Sequence, residues 1–138
     1  MQPNKSFSVF ARPFDARYKA LRFYGAFFLY FMILLVGSIP NARAEAGEFA
    51  SGVVLHVGAY SIITFLLVTG SSRRRGWALF QAFFLAVAMG ALDEYVQSYF
   101  PYRQASVQDW LVDAIASLFT TFLLWGGSLF AARRASEM

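Results

Sequence analysis

The chain has 138 residues, of which 58% are hydrophobic and 19% aromatic, a balance that excludes a water-soluble domain of this size, whose surface must be largely polar. The formal net charge of +4 carries no implication of nucleic acid, which we exclude as a partner, because a membrane protein gathers basic residues to set its topology. With no cysteine and a single histidine, disulfides, thiolate chemistry and multi-histidine metal centres are excluded, and the sequence assigns neither a metal ligand nor a cofactor.

The first segment, residues 1–20, sets Phe7, Phe10, Phe14 and Tyr18 among basic residues and reads as a cytoplasmic, interfacial stretch anchored at lipid headgroups. Four runs without formal charge follow, at residues 23–42, 49–72, 76–92 and 114–132. Each is long enough for a transmembrane helix, which needs about 20 residues. The spacing predicts one membrane domain over residues 21–132, with helices at about 22–40, 52–71, 76–98 and 107–131, and a tail at 133–138. Long unbroken apolar runs such as 27–36 argue against a β-barrel. The uncharged run 23–42, longer than a usual signal-peptide h-region of about 7–15 residues, argues against reading the first span as a signal peptide, despite the Ala42-Arg43-Ala44 pattern at its end.

Orientation follows from lysine and arginine. Lys5, Arg12, Arg17, Lys19 and Arg22 precede the first span, Arg73, Arg74 and Arg75 join the second to the third, and Arg133 and Arg134 follow the fourth. Ten of twelve basic residues therefore share one side, while the remaining loops carry Arg43, Arg103 and the acids Glu45, Glu48, Asp93, Glu94, Asp109 and Asp113. Both termini are expected to be cytoplasmic.

Helical rise places His56, Asp93 and Asp113 about 26, 27 and 30 Å from the cytoplasmic arginines, so three helices bring polar groups to one height. Along each helix these groups share a face. His56 and Tyr60 are four residues apart, as are Asp93 and Gln97, and Asp109 and Asp113, with Glu94 three from Gln97. Carboxylates beside hydrocarbon turn inward and require partners, for which Arg103 and His56 are the candidates. Ser106 fits an N-cap of the fourth helix, with Asp109 in its first turn; Asp113 lies a turn too deep for capping. Trp77, Trp110 and Trp125 read as packing and interfacial belt, and Gly25, Gly37, Gly58 and Gly90 as positions of close helix contact.

These residues resemble the VanZ-like family of small bacterial membrane proteins. The resemblance runs from about Ser38 to Leu124. It rests on Ser38-Ile39-Pro40, on His56 with Tyr60, on Asp93-Glu94 with Gln97, on Pro101 and Arg103, and on Ser106, Asp109, Trp110 and Asp113. Two departures stand out: Gly52 and Val53 occupy positions where the family commonly has Asp-Lys, and Ala116 and Ser117 occupy a region where it usually has glycine. The resemblance implies the bacterial cytoplasmic membrane and a loose link to cell-envelope and glycopeptide-resistance phenotypes. It brings no established reaction.

Three functions are compatible with this pattern. The first is an enzyme, or enzyme-like binder, for an envelope lipid or lipid-linked saccharide. In it Asp93 or Glu94 is acid or base, His56 a proton carrier, Arg103 an anion clamp, and Tyr60, Gln97, Asp109 and Asp113 substrate contacts. The second is a non-catalytic accessory or scaffold protein whose polar cluster holds helices together. A proton or ion conduit ranks third, because the cytoplasmic halves of the spans carry no charge that continues a relay. Homo-oligomerisation stays open.

Overall fold

The computed structural model describes residues 15–40, 51–103 and 105–137. Most of the aromatic-basic N-terminal stretch and the loop that carries Arg43, Glu45 and Glu48 lie outside the described residues. The described chain is all-helical: a 3-10 turn at Ala16–Tyr18, then α1 (Lys19–Gly37), α2 (Gly52–Gly70), α3 (Arg75–Gln97) and α4 (Val107–Ser136). All four long helices have the length and apolar character to cross a membrane.

The helix boundaries have local causes. Asp15 accepts the Arg17 N–H at 3.3 Å and opens the 3-10 turn, so the first helix starts before residue 22. It ends at Gly37, where the bonding tightens to the i−3 carbonyls, Ser38 N–H to Leu35 O and Ile39 N–H to Val36 O, both at 3.1 Å, while the Ser38 hydroxyl donates to Leu34 O at 2.7 Å. Pro40 then disfavours helical backbone at Ile39. Ser51 caps α2 by accepting the Val54 N–H. Helix α4 continues through Arg133 and Arg134 to Ser136, where cations suit the negative end of the helix dipole; the expected tail is therefore mostly helical.

Burial is distributed as a bilayer requires. Phe28, Phe31, Phe119 and Phe130 are among many large apolar side chains on the outside, whereas Asp93, Glu94, Gln97 and Asp113 are buried. Water would reverse that preference; hydrocarbon sustains it. The apolar core between helices is built from Ala26, Tyr60, Ile63, Leu67, Ala82 and Ala86, whose small members let the backbones approach. Helix α4 packs on α2 and α3, while α1 lies chiefly against α2.

At one end of the bundle α1 and α2 nearly touch. A Cβ on Gly70 would fall 2.4 Å from Phe23 N and 2.9 Å from Lys19 O, so this crossing admits only glycine without a shift. Arg22 reinforces it by donating to Thr69 O at 2.9 and 3.2 Å, a carbonyl left over at the C-terminus of α2. Gly25 and Gly58, expected at helix contacts, face open space instead, whereas Gly70 makes the close approach. A glycine's position in the sequence does not reveal which face of the helix it occupies.

Candidate functional site

The opposite end of the bundle gathers the predicted polar residues, and the helix termini place them. The start of α2 supplies His56, the end of α3 supplies Asp93, Glu94 and Gln97, and the start of α4 supplies Asp109 and Asp113. Ser106 caps α4 by accepting the Asp109 N–H at 3.2 Å. Glu94 reaches across from α3 and accepts the Ser106 N–H at 2.6 Å, so one carboxylate oxygen satisfies a backbone donor and ties α3 to the first turn of α4.

His56 Nδ1 lies 2.8 Å from Asp113 Oδ1, and Asp113 is fully buried. An ionised Asp113 can only accept, which assigns the hydrogen to Nδ1; in the neutral imidazole Nε2 then keeps its lone pair. Tyr60 lies parallel to the imidazole, with ring centroids 6.3 Å apart and planes inclined by 3°. Gly90 makes room for this arrangement. A Cβ at that position would stand 2.9 Å from Asp113 Oδ2 and 3.3 Å from Trp110 Cδ1. Trp110 is held there by donating from Nε1 to Val87 O at 3.1 Å, which makes it a packing residue between α3 and α4.

Several buried polar atoms here have no hydrogen-bond partner among the described residues: Tyr60 Oη, Glu94 Oε1, Gln97 Oε1 and Asp113 Oδ2. Polar groups in such surroundings are costly unless something pairs with them, which makes this end of the bundle the candidate site. One donor atom each from His56, Glu94 and Asp109 lies within 4.8 Å of the other two, the one such group that could hold a metal among the described residues.

A cavity of about 350 Å³ opens beside these residues. Its apolar wall comes from Met32, Ile33 and Val36 of α1 with Leu55 and Ala59 of α2; His56, Tyr60, Asp93 and Arg103 supply its polar part. The Arg103 guanidinium lies against Gly37, at 3.7–3.8 Å from where a Cβ would stand. Its segment is fixed by Tyr102, which donates to Ser38 O at 2.6 Å.

The structure therefore brings together His56, Tyr60, Asp93, Glu94, Gln97, Asp109 and Asp113, with Arg103 at the cavity. Sequence reasoning missed Tyr30, a buried α1 residue that donates to Met89 O at 2.9 Å, and the Tyr102 strut. A tyrosine in an apolar span looks like any other aromatic, so no signal distinguished the first. Fold and burial define an all-α protein with four helices suited to crossing a membrane and a buried acid-histidine cluster at one end. Comparison with family models, curated proteins and solved structures finds no match to the chain.

Proposed function

We propose that the chain is a VanZ-like protein of the bacterial cytoplasmic membrane, with both termini inside, whose acid-histidine end faces outward and binds an envelope lipid or lipid-linked saccharide by its anionic head. The cavity carries this reading. Its apolar side suits an acyl or isoprenoid chain, while Arg103 supplies a planar cation for phosphate or carboxylate at the end where the polar residues cluster. His56, Asp93 and Glu94 then stand where a bound head could exchange protons with them.

The test is the lipid complement that co-purifies with the protein. An anionic lipid retained by the unaltered chain and lost in Arg103→Ala supports the reading; identical complements remove it. For orientation, the segment around Arg103 is expected to react with impermeant reagents applied outside the cell, and reaction only after lysis contradicts it.

A non-catalytic scaffold is the second reading, favoured by the ties that bridge helices at this end, Glu94 to Ser106 and His56 to Asp113. It predicts that single neutral substitutions at His56, Asp93 or Glu94 destabilise the protein. Folded variants that have lost ligand would exclude it.

A further inference from the structure

We propose that His56, Glu94 and Asp109 bind one divalent transition-metal ion of the Zn²⁺ type. This goes beyond the lipid reading and does not depend on it. The three residues come from α2, the end of α3 and the first turn of α4, and a donor atom of each already lies within 4.8 Å of the others. Ligands at about 2.0–2.1 Å from a tetrahedral ion stand roughly 3.4 Å apart, so modest side-chain rotation closes the set.

Independent observations point to a cation. Glu94 is 92% buried, taking the complement of its 8% exposure. Its Oε2 is engaged by the Ser106 N–H, while Oε1 has no partner among the described residues. A buried carboxylate oxygen without a donor is an acceptor waiting for positive charge. Asp113 contributes differently. By taking the hydrogen on Nδ1 of His56 it fixes the tautomer that presents Nε2 to a metal, the carboxylate–histidine support found behind metal-bound imidazoles. Asp113 is thus a positioning residue, and Gly90 supplies the space it occupies.

The donor set also selects the ion. Imidazole nitrogen with two carboxylates suits Zn²⁺ and its neighbours, whereas Ca²⁺ and Mg²⁺ prefer all-oxygen shells. Three protein ligands leave a position for water or for an anionic oxygen, and the ion would polarise whatever oxygen occupies it.

The experiment uses the full chain without an affinity tag, stripped with chelator in detergent and titrated with Zn²⁺ alone, followed by X-ray absorption at the zinc edge. The proposal expects about one ion per chain in an oxygen- and nitrogen-ligated shell containing one imidazole. Glu94→Gln, Asp109→Asn and His56→Gln should each weaken binding more than about tenfold, and Asp113→Asn by about 10–100-fold. Absence of saturable uptake, a bound zinc without imidazole scattering, or affinity unchanged in all three ligand variants would overturn it. The absorption spectrum of the unaltered chain decides the matter if a variant fails to fold. No lipid enters the titration, so its failure leaves the lipid reading standing, and unchanged lipid in Arg103→Ala leaves the metal result standing.

Discussion

The two ends of this helical bundle handle polar atoms in opposite ways. At the arginine end, Arg22 sits on Thr69 O, Arg75 donates to Leu124 O at 2.6 Å, and glycine at position 70 lets α1 and α2 meet backbone to backbone. Arg22 and Arg75 are each matched to a helix carbonyl, and none of the buried unpartnered atoms belongs to these two residues. At the acidic end, carboxylates and a tyrosine hydroxyl are taken inside the bundle, and several of their oxygens have no donor among the described residues. One end reads as construction and the other is where the binding proposals apply, because a fold optimised only for stability has no use for buried oxygens that lack donors.

Substitutions can sharpen this contrast. The largest effect is expected from the ion itself: Zn²⁺ at a hundred times its dissociation constant should raise the stability of the unaltered chain by about 2.7 kcal/mol. Glu94→Gln should cut that gain at the same zinc concentration to about 1.4 kcal/mol or less, while leaving metal-free stability within about 0.5 kcal/mol, since glutamine keeps an oxygen for the Ser106 N–H and removes an unpaired charge. Denaturant unfolding in mixed micelles, with and without zinc, measures both. A large loss of metal-free stability in Glu94→Gln would instead make this end structural glue.

Gly70→Ala comes next, at about 2 kcal/mol of destabilisation, because the added methyl overlaps the backbone of Phe23 and two helices must separate. Zinc affinity should not change, since the contact lies at the far end. Gly90→Ala reverses that signature. It meets the Asp113 carboxylate rather than backbone, so we expect about 1 kcal/mol of lost stability but at least a tenfold loss of zinc affinity as Asp113 is displaced from His56. The same titration and unfolding measurements separate the two glycines. Arg22→Ala should cost the least, below about 1 kcal/mol, because its bonds to Thr69 O are only partly shielded from the surroundings. A loss as large as that of Gly70→Ala would show that charge, rather than close backbone packing, secures the arginine end.

Much of this was legible in the chain. Uncharged runs bounded by arginines marked the four helices, and equal helical rise from those arginines put His56, Asp93 and Asp113 at one height. The Ser106 cap followed from residue type and spacing alone. What spacing could not supply was azimuth, the direction each side chain takes around its helix relative to neighbours distant in sequence. Hence Gly90 and Gly70 could not be told from Gly25 and Gly58, and the choice of Asp113 as the partner of His56 had to await the packing of α2 on α4. The exit of α1 was shifted for a local reason, the turning back of Ser38, which an apolar run conceals.

The convergence at the acidic end can be tested through a single resonance system, since His56 is the only histidine. With ¹⁵N-labelled histidine in the untagged protein, NMR should show one imidazole locked as the Nδ1–H tautomer. A hydrogen-bonded proton should report Asp113 and weaken in Asp113→Asn, and the Nε2 signal should shift when zinc is added. A freely exchanging imidazole, identical in the unaltered and Asp113→Asn chains and indifferent to zinc, would contradict the account.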